Sequence, residues 1–405
     1  MKNLFACILA IVSINNLAQA QISTGQLNGQ RVNSISTAVP FLTISPDARA
    51  GSMGDAGVAL SPDANSMHWN PSKLAFVEDE VGFSLAYTPW LQALVNDINL
   101  AYLSGYYKID DKQTIGASLL YFSLGNIQLT NESGQNLNLI KPNELALDAA
   151  YSRKLSENFS GSVAFRFIYS DIATGSISGG QAIDAGVSGA ADLSAYYKKE
   201  LDINGNDALL SFGGNVSNIG TKITYSGDEQ RDFIPTNFRL GTALKLNLDE
   251  YNTITFTIDA NKYLVPTNPI YAQGTDSIIA GRDPNRSVVS GIFGSFTDAP
   301  GSPIYDQNGD FQGIEKGSIT GEEFNELYYG AGMEYWYTDQ FSLRAGYFYE
   351  HPTKGNRQFL TIGAGLKYNV FGLDFAYLIP TEQRNPLEDT LRFTLQFDFD
   401  ALKSN

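Results

Sequence analysis

The stretch Thr390-Leu-Arg-Phe-Thr-Leu-Gln-Phe-Asp-Phe399 decides the fold class, because its side chains alternate almost without fault. Apolar side chains fall on one face of the extended chain and polar or charged ones on the other, which is the two-residue period of a β-strand. The apolar set is Leu391, Phe393, Leu395, Phe397 and Phe399. Such a strand fits a soluble sandwich or the wall of a membrane barrel. The number of recurrences and the presence of an export signal distinguish the two.

Residues 1–20 have the features of a signal peptide. Lys2 supplies a short positive region, Leu4–Ile14 is an apolar run, and Ala18-Gln19-Ala20 is a cleavage box, so the mature chain is predicted to begin at Gln21. A lipoprotein site at Cys7 is disfavoured, because cleavage there would leave almost no signal. Cys7 is then lost, and the mature chain has no cysteine. Export without disulfides is typical of a bacterial envelope protein.

The composition narrows the class further. Tyr (22) and Phe (24) are abundant, and no run of about 18 apolar residues follows the signal, which disfavours spanning helices. The tyrosine pairs 106–107, 196–197 and 328–329 lie near predicted strand ends, where an aromatic girdle is expected. A net charge of −16 disfavours binding to nucleic acid. An acidic, β-rich soluble protein is the alternative.

Fourteen segments after Phe76 have the length and alternation of barrel strands, and an even number is usual for bacterial single-chain barrels. They are Val81–Pro89, Ile98–Tyr107, Gln113–Leu124, Leu145–Lys154, Phe159–Ser170, Ala190–Leu201, Ala208–Ser217, Asn237–Leu248, Thr253–Tyr263, Leu327–Thr338, Phe341–Glu350, Phe359–Tyr368, Gly372–Pro380 and Thr390–Phe399. Tight turns alternate with longer connections, of which 264–326 is the longest. The sequence therefore predicts an all-β fold, an antiparallel transmembrane barrel of about 14 strands over residues 77–405, with the long connections outside.

Charged residues in these segments fall on the alternate strand positions that the apolar residues do not occupy, which we call the opposite parity. They are Asp148, Arg166, Asp192, Arg239, Lys245, Asp259, Glu334, Arg344, Asp374 and Arg392. A charge on the lipid face would cost about 2–4 kcal/mol at the midplane, so these residues are predicted to point inward. Because both signs are present, we expect internal ion pairs or a filled lumen. The outward face is expected to contact outer-membrane lipid and lipopolysaccharide.

The segment 21–76 ahead of the first strand does not alternate and is rich in small residues, so we predict that it is a plug, or hatch, inside the barrel. Its motif residues are Arg49, Gly51, Gly54, Asp55, Gly57, Asn70 and Pro71. Phosphate binding by the spacing Gly51-x-x-Gly54-x-x-Gly57 is disfavoured, because the strand-turn-helix context is missing. Close backbone packing is the preferred interpretation of these glycines.

The motifs Ala48-Arg-Ala-Gly-Ser-Met-Gly-Asp-Ala-Gly-Val-Ala59 and Asn65-Ser-Met-His-Trp-Asn-Pro71 resemble the hatch of the FadL-type outer-membrane transporters, which are fourteen-stranded barrels. The form Pro46-Asp-Ala-Arg-Ala-Gly-Ser-Met-Gly-Asp55 resembles most the PorV (LptO) family of the Bacteroidota type IX secretion system. The likeness covers the layout of the whole mature chain, and its specific motifs lie between Thr43 and Phe76.

This resemblance implies an outer-membrane protein of a Gram-negative bacterium that receives secreted cargo carrying a C-terminal domain as it leaves the translocon SprA (Sov). The family passes the cargo to a cell-surface complex of the sortase PorU with PorZ and PorQ. It has no established catalytic residues. The rival hypothesis is a FadL-like conduit for hydrophobic small molecules, which needs an apolar internal pocket. A third is a general diffusion pore.

Catalytic and metal chemistry finds little support in the residues, and we expect no cofactor. His68 and His351 are the only histidines, and nothing assembles a Ser-His-Asp trio, so hydrolysis, including the lipopolysaccharide deacylation that the name LptO reflects, is disfavoured. Zinc lacks ligands. The stretch Asp306-Gln-Asn-Gly-Asp310 has alternating oxygen ligands but fails the EF-hand pattern, and a solvated acidic turn is preferred over weak calcium binding.

Two apolar stretches in the outer connections are the candidate partner-binding sites. Exposed apolar groups usually mark a contact surface. The candidates are Trp90, Leu91 and Leu94 in the first outer connection, and Ile292, Phe293 and Phe296 in the longest one. Packing onto the barrel rim or the plug is the alternative for both.

Overall fold

The computed structural model describes residues 32–399, except for 93–94, 96, 131–132, 175–176, 179–180, 226–230, 273, 308–310 and 382–384. The predicted signal peptide, Leu94 and part of the acidic turn at 306–310 lie outside the described residues. Fourteen strands form a closed antiparallel barrel in sequence order. The predictions of an all-β fold and of fourteen strands are therefore confirmed.

Each barrel strand pairs with its neighbours in the chain, and the first strand pairs with the last. The strands are β1 (Val81–Pro89), β2 (Asn99–Asp110), β3 (Gln113–Ser123), β4 (Asn143–Lys154), β5 (Phe159–Asp171), β6 (Gly186–Ile203), β7 (Asn206–Gly220), β8 (Asn237–Asn247), β9 (Asn252–Tyr263), β10 (Tyr328–Tyr337), β11 (Phe341–Tyr349), β12 (Gln358–Tyr368), β13 (Phe371–Pro380) and β14 (Leu391–Asp398). In the closing pair, Gly82 lies opposite Asp398 and Tyr87 opposite Phe393. Closure leaves no strand edge unpaired, which lipid requires.

The strands β6 and β7 are longer than predicted. The alternation of side chains reveals only the part of a strand that has one apolar face. The pairing of β6 with β7 continues beyond that part, from the pair Ala190 and Gly220 to the pair Ile203 and Asn206 beside the tight turn. That turn, Asn204-Gly205, has φ of 56° and 83°, as a two-residue hairpin of the primed type requires. The predicted strand centres are therefore right, and the ends extend further.

The outer connections contain small elements that alternation did not predict. Four two-stranded hairpins are present in these connections. They pair Ile127–Thr130 with Asn136–Ile140, Ile177–Ser178 with Gln181–Ala182, Ile270–Tyr271 with Ile278–Ala280, and Pro303–Tyr305 with Phe311–Ile314. These strands are too short for a two-residue period to be recognised in the sequence.

Short helical turns lie before the barrel and in the longest connection. Before the barrel are α1 (Ala48–Gly51), α2 (Ser66–Trp69) and the 3₁₀ turns Pro40–Thr43 and Pro71–Phe76; in the connection are α3 (Val288–Gly294) and α4 (Ser318–Asn325). In the part of the chain that the structure describes, no helix has the length and hydropathy needed to cross a membrane.

The inward and outward directions of the strand side chains agree with the prediction that the charged ones point into the barrel. Eight of the ten predicted inward charges are buried, and the other two, Arg239 and Lys245, are half-buried and line internal cavities. On the opposite parity, large apolar side chains such as Phe165 and Phe256 are exposed outward. The tyrosine pairs split between the two faces: Tyr107, Tyr197 and Tyr329 point outward, whereas Tyr106, Tyr196 and Tyr328 are buried. Only one member of each pair can therefore contribute to a girdle.

Candidate functional site

The N-terminal segment (residues 33–77) makes hydrogen bonds to strands all around the barrel wall. The Ala48 amide donates to Thr394 Oγ1 (2.8 Å), and the Gly54 amide donates to Thr361 Oγ1 (2.9 Å). On the other side of the ring the contacts are Asn70 Nδ2 to the Ala195 carbonyl (3.0 Å), Ser152 Oγ to the Pro71 carbonyl (2.7 Å) and Ser160 Oγ to the Ser72 carbonyl (2.7 Å). From these contacts we infer that the N-terminal segment lies within the ring of strands.

Two side chains set the local shape of the N-terminal segment. Asp47 caps α1 by accepting the Ala50 amide (2.9 Å), and its other oxygen accepts the indole N–H of Trp69 (2.5 Å). Asn70 caps the turn that follows it, since its Oδ1 accepts the Ser72 amide (3.1 Å). Asp and Asn are favoured at such positions because their oxygens satisfy free amides. The motif residues Asn70 and Pro71 thus begin the last helical turn before β1.

Buried ion pairs join the N-terminal segment to the wall. Arg49 donates from two nitrogens to Glu334 (2.9 and 3.0 Å) and binds Asp63 at 3.0 Å. Glu334 also pairs with Arg344 (2.7 Å), which in turn pairs with Asp374 (2.6 Å). Each charged group in this network of ion pairs therefore has a neighbour of opposite charge, as buried charges require.

Two further ion-pair groups stabilise the interior. Arg392 of β14 binds Asp55 of the N-terminal segment at 2.9 Å. Within the wall itself, Arg166 lies between Asp148 (2.6 Å) and Asp192 (3.1 Å). The inward charges were predicted from parity, but their partners were not, because pairs such as Arg49 and Glu334 lie far apart in the sequence.

Glycines let the N-terminal segment approach the wall closely. Gly54 has φ of 69°, and a Cβ there would collide with the carbonyls of Tyr347 and Ala331. Conversely, a Cβ on Gly332 or Gly346 of the wall would collide with the backbone of Met53. The contact is therefore backbone against backbone, which only glycine permits. The preferred interpretation of the glycine spacing, close packing, agrees with this geometry.

The remaining glycines of the motif face side chains instead. A Cβ on Gly51 would run into the Arg392 guanidinium, and one on Gly57 would run into the Trp69 ring. The Gly57 amide donates to Asp259 Oδ2 (2.8 Å), and the Val58 amide donates to the same oxygen (3.0 Å). The motif residues thus contact the wall at several places around the ring, with Gly51, Gly54 and Asp55 on one side and Asn70 and Pro71 on the other.

The two candidate partner-binding stretches differ in exposure. Trp90 and Leu91 are half-buried, and Trp90 packs against the interior cluster that contains Phe41 and Leu100. In the longest connection Phe293 is 75% exposed and Phe296 is 48% exposed, whereas Ile292 is half-buried. Phe293 and Phe296 therefore present apolar surface to the outside.

Val289 and Phe293 are exposed one turn apart on α3, and the exposed Phe296 follows in the turn just after the helix. Gly291 is buried on another face, where a Cβ would meet the Phe233 ring and Pro266. Ser287 caps the helix through Ser290 (3.3 Å). Packing of Gly291 against residues at the rim thus directs Phe293 outward. We refer to Val289, Phe293 and Phe296 as the α3 face.

Glutamates of α4 and its end anchor the longest connection to the barrel. Lys354 binds Glu322 (2.7 Å) and Glu326 (3.0 Å), and Lys262 of β9 binds Glu323 (3.1 Å) and Glu326 (2.5 Å). These side chains are largely buried, so the connection is held against the rim by paired charges. Sequence reasoning missed this cluster because acidic residues in a long connection are usually solvated.

Within the part of the chain that the structure describes, the interior has several cavities with mixed polar and apolar linings. One of about 710 Å³ on the outer side is lined by apolar groups such as Phe122 and Val265 and by charged ones such as Glu144 and Lys222. His68 is packed between the rings of Trp69 and Tyr102, and His351 Nδ1 contacts Thr353 Oγ1 (2.9 Å). Among the described residues, no group of three or more His, Cys, Asp or Glu side chains has metal-binding geometry.

Several solved structures are similar to this chain. The chain is similar in structure to the toluene transporter TodX of Pseudomonas putida (TM-score 0.47, 13% identity, 91% of this chain and 98% of the other). It is also similar to the toluene transporter TbuX of Ralstonia pickettii (TM-score 0.45, 10% identity, 87% of this chain and 98% of the other). A third similar structure is a Pseudomonas aeruginosa FadL homologue (TM-score 0.41, 10% identity, 91% of this chain and 99% of the other). No curated protein sequence matches the chain.

A family model described as type IX secretion system protein PorV matches residues 27–270, which is more than half of the chain. The match includes the N-terminal segment and the strands up to β9. It agrees with the resemblance that the motifs between Thr43 and Phe76 predicted. The chain therefore belongs to the PorV family of the type IX secretion system, whose setting is the outer membrane.

Proposed function

We propose that this protein is a non-enzymatic carrier of the type IX secretion system. It binds secreted cargo at the translocon and passes it to the sortase complex on the cell surface. Membership of the PorV family supports the secretion context, and the exposed α3 face supports a role in binding. The observation that carries the proposal is the apolar face of Val289, Phe293 and Phe296 on a connection anchored by buried ion pairs.

A rigidly held apolar face suits recognition of another protein. Large side chains that protrude from a fixed support bury much area on contact and lose little conformational entropy. The charge pairs of Lys262 and Lys354 provide that support. The N-terminal segment acts in this proposal as a hatch that fills the lumen, so cargo contacts the outer surface and does not pass through the barrel.

The test is a double substitution of Phe293 and Phe296 by Ser, introduced into a strain that secretes through the type IX system. We expect release of C-terminal-domain cargo to fall at least tenfold, while the barrel still requires heating to unfold in detergent. A second variant with Trp90 and Leu91 replaced by Ser tests the other candidate stretch. Because Trp90 packs inward, we expect a smaller loss of release there.

The matched control is Leu155→Ser, which removes a 63% exposed apolar side chain at a tight turn on the opposite end of the barrel. We expect secretion by this variant to equal that of the wild type. Normal secretion by the Phe293 and Phe296 variant would contradict the proposal. Loss of growth on long-chain fatty acids after deletion of the gene, with secretion intact, would instead favour the conduit for hydrophobic small molecules.

A further inference from the structure

An internal cavity of about 80 Å³ lies between the N-terminal segment and the barrel wall. Three arginines line it: Arg239 of β8, Arg392 of β14 and Arg357 of the connection before β12. Asp55 is the single carboxylate among the lining residues. The lining side chains therefore carry three positive charges against one negative charge.

Two of the three arginines have carboxylate partners. Arg357 binds Glu350 through two nitrogens (2.9 and 2.8 Å), and Arg392 binds Asp55 (2.9 Å). Arg239 is different: its Nε donates to Asn261 Oδ1 (2.6 Å), and its guanidinium lies 4.5 Å from the centre of the Trp69 ring. Within the described ranges Arg239 forms no salt bridge. Arg239 is half-buried, and the Asp259 carboxylate attracts it from beyond salt-bridge distance, so its charge is only partly compensated.

Unsatisfied polar atoms lie on the same residues. Ser45 Oγ and Arg392 Nε are buried and have no hydrogen-bond partner among the described residues, and both residues line the cavity. Ser45 is 3% exposed and Arg392 is 2% exposed. Because buried polar groups in proteins are nearly always hydrogen-bonded, two such atoms at one cavity favour a bound water or a small ligand there.

The size and access of the cavity restrict that ligand. A water molecule takes up about 30 Å³ in the liquid, so the cavity has room for roughly two or three waters or for one small oxyanion. A larger cavity of about 330 Å³ shares Thr43, Tyr263, Tyr328 and Arg357 with it. That cavity is lined by residues 34–37 and by Lys354 of an outer connection, so it lies toward the outside and adjoins the smaller one.

We propose that this cavity binds one small oxyanion, of the carboxylate or phosphate type, beside Arg239 and Arg392. Guanidinium groups recognise such anions through charge-assisted hydrogen bonds. The anion would neutralise Arg239 and join the N-terminal segment, through Ser45, to the wall. This inference concerns the interior and does not depend on the proposed role of the outer surface in secretion.

The experiment is equilibrium dialysis of the full mature protein in detergent against radiolabelled inorganic phosphate, with labelled acetate as a second ligand. Sodium HEPES, whose ring is too large for the cavity, keeps the ionic strength constant. We expect one saturable site per chain. Mutual competition between phosphate and acetate would indicate a general oxyanion site, and binding of acetate alone would indicate a carboxylate site.

The Arg239→Gln variant is expected to lower the affinity at least tenfold. Lys245→Gln is the matched control, because Lys245 lies on the same strand and parity but lines a different cavity near the tight turns. We expect it to bind like the wild type. Arg239→Lys, which keeps the charge without the guanidinium, serves if the Gln variant does not fold, and we expect weaker binding. Absence of saturable binding in the wild type, or equal binding by the Arg239 variants, would overturn the proposal.

Discussion

At the scale of single residues, buried charges hold the N-terminal segment in place. Arg49 is 8% exposed and contacts two carboxylates, one in its own segment and one in β10. A buried ion pair is not by itself a strong source of stability, because desolvation offsets much of the attraction. Removal of one partner is different, since it leaves the other charge buried and uncompensated.

We therefore expect Arg49→Gln to lower the free energy of unfolding by about 3–5 kcal/mol. The measurement is urea unfolding in lipid vesicles, followed by the fluorescence of the three tryptophans. The control is Lys367→Gln, because the ion pair of Lys367 with Asp398 is long (3.4 Å) and the Lys367 side chain is 49% exposed. That change should cost less than about 1 kcal/mol. Equal stability of the two variants would contradict the prediction.

At the scale of elements, the longest connection depends on buried acidic groups. Asp298 is 1% exposed and lies 3.5 Å from Arg286. Burial raises the pKa of the Asp298 carboxyl to about 6; the Arg286 guanidinium opposes this shift, and Glu323 and Glu326 add to it. When the connection is docked on the barrel, the Asp298 carboxyl therefore binds its proton more tightly. In an undocked connection Asp298 has the ordinary pKa near 3.8. The stabilising contribution is complete below about pH 4 and is lost as the pH rises through about 6.

Amide hydrogen exchange in the connection 264–327 tests whether the docked connection loses stability as the pH rises. Asp298→Asn keeps the side chain neutral at every pH, so the ratio of exchange rates between wild type and variant removes the intrinsic pH dependence of exchange. We expect faster exchange in the wild type at pH 8 and equal rates at pH 4. A ratio that does not change with pH would show that Asp298 does not titrate in the docked connection.

At the scale of the whole molecule, the closed ring of strands separates a lipid-facing surface from a polar interior. Phe165 lies near the middle of β5, points outward and is 67% exposed. Its neighbour Arg166 points inward to Asp148 and Asp192. Two consecutive residues thus meet opposite environments, as expected for a strand of a closed barrel in a membrane.

We expect Phe165→Arg to lower the free energy of unfolding in lipid vesicles by about 2–4 kcal/mol, because it places a charge at the bilayer midplane. Leu155→Arg is the matched control: Leu155 is also exposed (63%) but lies at a tight turn, where the cost should be about 0–1 kcal/mol. Unfolding by urea reports both values. Equal costs at the two positions would mean that Phe165 does not face lipid.

The fold class, the number of strands and the inward direction of the charged strand residues could all be predicted from the residues alone. Period-two alternation is local, so Thr390–Phe399 and the other segments carry it whatever they pair with. The small residues between Thr43 and Phe76 likewise predicted close packing. These features follow from which environment each residue tolerates, and they need no knowledge of distant partners.

The pairing of charges, the positions of the cavities and the exposure of particular apolar residues depend on the folded molecule. Arg49 meets Glu334, and Arg392 meets Asp55, because barrel closure and register bring distant residues to the same depth. The exposure of Phe293 and the partial burial of Trp90 likewise depend on contacts with other elements. Register is a property of the assembled ring, so no pattern within one segment can specify it.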